Sequence, residues 1–328
     1  MPLYYLKKYS FIFKFIFCAL ILYFLASSDK LDFRKLSLFF EKPQTLMVYS
    51  FLWVFGILLM NSLRWHVLLR IVGVSLQKTR VASLTAIGLF FNSFLPGSVS
   101  GDAVKGYYII NENKELPKSH LLSSLIFDRL LGFYSIFTIA SITILSVYSF
   151  EQILEKGSLI FPVFSVFIGM TCFFVFFFFF SDFILNKESF FKSEQIKNFF
   201  AVGNLYKKNL KLVFYAFFYS LVVQVLLFSY FVYLTSFFND LSVSWKNIFV
   251  IYPLGIISTV IPIFPGGLGL GHASFEVLYQ QFGLKEGANI FNLFFVGSLF
   301  FNMLGVFPYL FFKKGQREKS GVLLKSEH

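Results

Sequence analysis

Residues 81–105 read Val81-Ala-Ser-Leu-Thr-Ala-Ile-Gly-Leu-Phe-Phe-Asn92-Ser-Phe-Leu-Pro96-Gly97-Ser-Val-Ser-Gly101-Asp102-Ala-Val-Lys105. Whether this stretch crosses a membrane or turns back decides the fold. About 15 mostly apolar residues, Val81–Leu95, run into Pro96-Gly97, and a short second limb, Ala103–Ile110, follows. Proline removes a backbone donor and glycine frees the chain to turn, so a helix ends there. Broken backbone at membrane depth persists only where protein buries it or water reaches it. The stretch therefore predicts a re-entrant hairpin over about 81–110. The same signature recurs later. Trp245–Phe264 carries Pro253 and Pro262, breaks at Pro265-Gly266-Gly267-Leu268-Gly269-Leu270-Gly271, and continues as a short limb, His272–Phe282. A second hairpin is predicted over about 245–282.

Around the hairpins lie six stretches that approach or exceed the roughly 20 apolar residues of a spanning helix: Phe11–Ser27, Thr45–Leu63, Leu121–Val147, Leu159–Ser181, Leu210–Phe238 and Ala288–Phe312. The first follows Lys7 and Lys8 and ends near Leu25-Ala26-Ser27-Ser28, a passable cleavage region. Five spans after it favour a retained anchor over a signal peptide. Composition agrees: 57% of the 328 residues are hydrophobic and 14% charged, where soluble domains carry about 25% charged residues. Disorder is excluded by the same hydrophobicity. The reading is an all-α polytopic membrane protein, a single integral membrane domain over 1–328. Phe is the extreme residue, with 51 copies including the run Phe176–Phe180. It reads as lipid-facing filler, with an aromatic substrate slot as the alternative.

Charge sets the topology. The net charge of +12 would point to nucleic acid in a soluble protein. In a membrane protein it reads as positive-inside bias and attraction to anionic headgroups, and no nucleic-acid partner is expected. With both hairpins returning to their own side, the segments on the N-terminal side hold 19 Lys and Arg and the opposite segments hold 7. A true span at 81–110 would instead place the Lys-rich segment 182–211 outside. The expectation is multi-pass insertion in the cytoplasmic membrane with both termini cytoplasmic. The first hairpin then enters from the cytoplasm and the second from the far side, the pattern of inverted-repeat transporters with a midplane site. Segment 188–208 reads as an amphipathic cytoplasmic connector.

Five ionisable residues stay at membrane depth: Asp102, Lys105, Asp128, Arg129 and Glu276. Each costs at least about 2.5–3.5 kcal/mol if it faces lipid, so such residues turn inward and pair. Asp102 after Gly101 is either a helix N-cap or, with Lys105 at i+3 and the amides of Pro96–Gly101, one wall of a polar site that attracts anions. Asp128 and Arg129 are neighbours and diverge by about 100° on a helix, so each needs a separate partner. They are a packing clamp, or Arg129 holds a lipid phosphate. Glu276 is either a structural hydrogen-bonding group or part of an ion or substrate path. His272, one helical turn earlier, is the candidate proton-relay partner. His66 and His120 sit near the cytoplasmic boundary with no assigned role. Asn92, Gln224, Asn292 and Asn302 read as interhelical hydrogen-bonding groups. Cys18 and Cys172 lie in apolar runs, and no metal site, P-loop or GxSxG motif is present. Ser98 and Ser100 have no nearby His, so no enzyme chemistry and no cofactor is expected.

Three blocks resemble the lysylphosphatidylglycerol synthase transmembrane-domain family, also called flippase-like. Asn92 through Pro96, Gly101-Asp102 and Lys105 resembles its N-x-x-x-P-x-x-x-x-G-D-x-x-R/K block. Phe127-Asp128-Arg129-Leu130-Leu131 resembles its E-R-L block, with Asp128 where Glu is usual. Ile261 through Pro265-Gly266-Gly267-Leu268-Gly269 resembles its P-x-x-P-G-G-L-G block, with Gly271-His272 in place of a common Arg-Glu and the acid delayed to Glu276. The resemblance covers nearly the whole chain. It implies a membrane domain without the fused aminoacyl-transferase domain, acting on membrane lipids by moving a lipid or lipid-linked headgroup between leaflets. By the residue match, Asn92, Asp102, Lys105, Asp128, Arg129 and Glu276 would line the substrate path, and Pro96, Gly97, Gly101, Pro265, Gly266, Gly267 and Gly269 would shape its backbone. Two alternatives stay open: a membrane partner of a separate glycosyl- or aminoacyl-transferase, and a membrane transferase acting on a phospholipid or polyprenyl phosphate.

Overall fold

A computed structural model describes residues 32–95, 99–185, 194–240, 245–260 and 267–311, with Tyr23, Ala26 and Ser27 besides. The first expected span, Phe11–Ser27, lies almost wholly outside the described residues. So do Pro96, Gly97, Ser98, Pro265 and Gly266.

Two short helical turns, Phe33–Ser37 and Leu38–Glu41, lead into α1 (Pro43–Ile71), whose middle, Leu52–Met60, has the wider winding of a π-helix. Next come α2 (Lys78–Phe94), α3 (Ser100–Glu112), α4 (Lys118–Val147) and α5 (Gly157–Leu185). After these follow α6 (Glu194–Lys208), α7 (Leu210–Thr235), α8 (Ile248–Val260), α9 (Leu270–Gln281) and α10 (Gly287–Phe311). Five of these, α1, α4, α5, α7 and α10, contain stretches long and apolar enough to cross a membrane. They coincide with five of the six expected spans. The chain is an all-helical, multi-pass membrane protein.

The pairs α2/α3 and α8/α9 are the two hairpins. Arg80 at the start of α2 pairs with Glu112 at the end of α3, so the first hairpin returns to the face it left. The second does the same. Asn247, just before α8, accepts a hydrogen bond from the Tyr148 hydroxyl at 2.6 Å, and Lys156 lies 4.5 Å from the ring centroid of Phe282, just after α9. Tyr148 and Lys156 flank the short helix Phe150–Glu155 that follows α4, whereas Glu112 is close in sequence to the start of α4. The two hairpins therefore attach at opposite ends of α4. Segments assigned to one side by charge also touch each other: Lys35 pairs with Glu286, and Asn239 bonds the backbone of Lys285.

Buried apolar residues form two clusters, one toward each end of the bundle. Along α1 one cluster ends at Met60 and the other starts at Trp65. Along α4 the change falls between Leu131 and Ile136, and along α7 between Ala216 and Val223. Arg64 and Ser220 sit at these junctions, and Asp128 just before one, so a polar layer separates two hydrophobic layers. The Phe run of α5 is split in function. Phe173, Phe176 and Phe179 are exposed, as lipid-facing filler should be, while Phe174 and Phe177 are buried. Phe177 packs on Phe127, which stacks on Tyr206 of α6 with centroids 3.8 Å apart. The expected connector is thus helical at 194–208 and docked on the bundle.

Candidate functional site

The first hairpin closes through Asn92. Its Oδ1 accepts the Gly101 N–H at 2.7 Å, while Ser100 Oγ donates to the Phe91 carbonyl at 3.1 Å. The limbs approach so closely that a Cβ on Gly101 would strike the Gly88 carbonyl. This settles the N-cap question for Asp102. The side-chain acceptor at the start of α3 is Asn92, and the Asp102 carboxylate is left for other partners.

Those partners are two cations. Lys105 Nζ lies 2.9 Å from Asp102 Oδ1, and Arg129 Nε donates to Oδ2. Lys105 also lies 4.6 Å from the Trp65 ring centroid, a cation–π contact, and its stem runs over Gly88, where a larger residue would crowd it. Arg129 thus finds a partner separate from its neighbour Asp128, a carboxylate of the first hairpin. The side chains of Asp102 and Lys105 are 10% and 8% exposed and that of Arg129 is 30% exposed, so the triad opens at its arginine.

Asp128 has a different partner, Arg64 of α1: Nε to Oδ1 is 2.6 Å. A second guanidinium nitrogen donates to Ser220 of α7 at 3.1 Å, and Gly132 of α4 leaves room for that group. Arg64 is a correction to the sequence reading, which ended the span at Leu63 and counted Arg64 as a cytoplasmic loop residue. The helix continues to Ile71, about 12 Å further along the axis, and carries Arg64 into the bundle. The signal was present: Asp128 required a cation, and Trp65, Leu68 and Leu69 continue the apolar pattern beyond residue 63.

These groups surround a cavity with two lobes. A lobe of about 190 Å³ is lined by Thr85, Gly88 and Asn92 together with Asp102, Lys105 and Arg129. A lobe of about 320 Å³ is walled largely by apolar residues, among them Phe133, Leu227 and Phe294, with Ile256 from the second hairpin. Asn61, Arg64, Leu89, Asp128 and Arg129 line both. The result is an amphipathic chamber between the first hairpin and the spans, reached by one residue of the second. Asp128 lies about 15 Å along α4 from Lys118, well inside a roughly 30 Å hydrocarbon layer.

Glu276 lies elsewhere and lines neither lobe. Its Oε2 accepts the Ala288 N–H at the start of α10 (3.0 Å) and its Oε1 accepts from Gln280 (2.6 Å). A carboxylate at a helix N-terminus satisfies an orphan amide and complements the helix dipole. His272 is 1% exposed, and its ring nitrogens face Asn292 (3.3 Å) and the Gly269 N–H (3.4 Å). Gly267 and Gly269 have φ of 78° and 81°, so the end of the Gly-rich run uses backbone that other residues rarely adopt. Gln224, Asn292 and Asn302 bond between helices as expected. Asn302 accepts from Trp53 Nε1 and donates to Ser93, both at 2.8 Å, and Gln224 reaches the Gly132 carbonyl at 3.5 Å. Among the described residues, no cluster of three His, Cys, Asp or Glu side chains could hold a metal ion.

No curated protein and no solved structure matches the chain. A family model does, over residues 11–301, described as the lysylphosphatidylglycerol synthase TM region. That match spans both hairpins and all of the cavity lining but Asn302, and the chain belongs to the lysylphosphatidylglycerol synthase TM region family.

Proposed function

We propose that this protein moves a lipid or lipid-linked headgroup between the leaflets of the cytoplasmic membrane. The observation that carries the reading is the cavity itself: five ionisable side chains converge at membrane depth, in a lobe that shares five lining residues with a more apolar one. The physical problem of lipid translocation is to shelter a polar headgroup from about 30 Å of hydrocarbon while its tails stay in lipid. A chamber with one polar and one apolar lobe suits both ends of such a molecule. Positive-inside bias supports a cytoplasmic position for the face carrying Arg70, Lys78, Arg80, Lys114 and Lys118, and the proposed topology has both termini on that side. The polar lobe is then loaded from the inner leaflet.

The test is reconstitution in liposomes with a panel of lipids carrying a fluorophore on the headgroup, followed by a membrane-impermeant quencher. Empty vesicles lose the half of the signal in the outer leaflet. Vesicles holding the protein should lose more than half for at least one lipid, and Arg129→Ala should impair this more than Arg129→Lys. Protein-containing vesicles that behave like empty ones with every headgroup reject the reading.

A further inference from the structure

The two ends of α1 are bonded to different helices. Toward its N-terminus, the Tyr49 hydroxyl lies 2.6 Å from Ser298 Oγ, and Trp53 Nε1 donates to Asn302 Oδ1 at 2.8 Å; both partners belong to α10. Toward its C-terminus, Arg64 pairs with Asp128 at 2.6 Å, and Trp65 Nε1 donates to Ser124 Oγ at 3.3 Å; both partners belong to α4. The wide-wound segment Leu52–Met60 joins the two halves. Its exit is irregular. The Asn61 N–H donates to the Leu58 carbonyl, not to the Ile57 carbonyl that an α-helix would use. The Asn61 side chain takes the Ile57 carbonyl instead, at 2.8 Å, and Ser62 Oγ donates to the Leu58 carbonyl at 2.5 Å. Gly56, in mid-segment, presents no side chain to α7, where a methyl of Leu226 lies 3.1 Å from the place of a Cβ.

The helices that hold α1 are also walls of the larger lobe. Ser298 and Asn302 of α10 line it, as do Asp128 and Gly132 of α4, and Ile57 and Asn61 come from the junction of the two halves. A π-helix closes each hydrogen-bonded turn with one residue more than an α-helix, and such segments recur at functional sites. Rewinding it keeps the chain helical, because each carbonyl only exchanges one amide for its neighbour. One residue of register is about 100° around the axis and 1.5 Å along it, so a fraction of that displaces whatever the far half holds. We infer that Leu52–Met60 is the joint on which the cavity changes width: its rewinding moves the α4 wall relative to the α10 wall while the bonds at both ends persist. The inference rests on the proposed function in taking this cavity as one that must admit and release a headgroup, a task that rocking of one helix group against another performs. Asn61 and Ser62 are positioning residues. They hold carbonyls that must change partners when the segment rewinds.

The experiment measures the distance between the two walls by pulsed electron paramagnetic resonance in lipid nanodiscs. In a background without Cys18 and Cys172, nitroxides are attached at Ile126→Cys on α4 and Phe300→Cys on α10, both exposed positions. The otherwise unchanged chain should show two distance populations. Deletion of Leu59, which is 41% exposed and so takes little from the core, removes a surplus residue from the wide winding and should leave one population. Asn61→Leu/Ser62→Ala should shift the ratio of the two about fivefold toward the population that the deletion selects, the scale of one lost hydrogen bond. One population in the unchanged chain overturns the inference, as do two in the folded deletion variant. If the deletion variant does not fold, the double substitution decides: a shifted ratio supports the joint and an unchanged ratio overturns it. Two populations set by this segment, without translocation of any labelled lipid, reject the proposed function and leave the joint standing. Translocation with a single population does the reverse.

Discussion

Replacing Arg64 with Met leaves Asp128 without its cation, and the consequences follow from the geometry. The pair is nearly dry, with side chains 8% and 10% exposed and a 2.6 Å contact. Breaking a buried pair from one side costs about 3–5 kcal/mol, because the surviving charge stays buried. Removing both charges, as Arg64→Met/Asp128→Leu, should return stability to within about 1–2 kcal/mol of wild type, since neutral isosteres often match a buried pair. The residual cost reflects the lost bond to Ser220. The assay is thermal unfolding in one detergent at pH 7 for the four proteins of the cycle. Equal stability of Arg64→Met and wild type at pH 7, or a single variant no weaker than the double, refutes the reasoning.

Other perturbations separate close packing from function. Gly101→Ala should cost about 1–3 kcal/mol, because its Cβ meets the Gly88 carbonyl across the hairpin. Gly169→Ala, with nothing within 4 Å, should be neutral or stabilise by up to about 1 kcal/mol; thermal unfolding checks both. Glu276→Gln keeps one acceptor oxygen for the Ala288 N–H or for Gln280, so it should lower stability by about 1 kcal/mol and leave translocation under an imposed pH gradient unchanged. A lost gradient response would return Glu276 to the transport path. In a cysteine-free background, Lys114→Cys and Glu155→Cys, both exposed, should label from the cytoplasmic and outer face respectively; labelling from one face only contradicts the topology.

The architecture was largely legible because its signals are local and strong. Span length, the Pro-Gly breaks and the Lys/Arg asymmetry each act within one stretch of chain, and moving Arg64 into the bundle leaves the charge asymmetry intact. Part of the site was legible for a similar reason. Asp102 and Lys105 share a helix face, and Asp128 cannot serve its neighbour Arg129, so the need of each for a separate partner followed from helix geometry. What escaped depended on contacts between distant segments. The helix holding Arg64 continues past the apolar run because α4 supplies Asp128 and α7 supplies Ser220. The place of Glu276 depends on where α10 begins: the amide of Ala288 lies twelve residues away, across a left-handed turn at Glu286. Asn92 was read as a helix-to-helix group, but its capping of Gly101 required the limbs to be folded together.

The most direct test of the central claim, that the headgroup passes through this cavity, uses Leu89, which lines both lobes. In a cysteine-free background, Leu89→Cys is reconstituted and translocation of a headgroup-labelled lipid is measured before and after modification with a charged methanethiosulfonate reagent. The account predicts translocation before modification, loss of most of it afterwards, and recovery on reduction. Translocation at the unmodified rate in protein shown to be fully modified at residue 89 would contradict it.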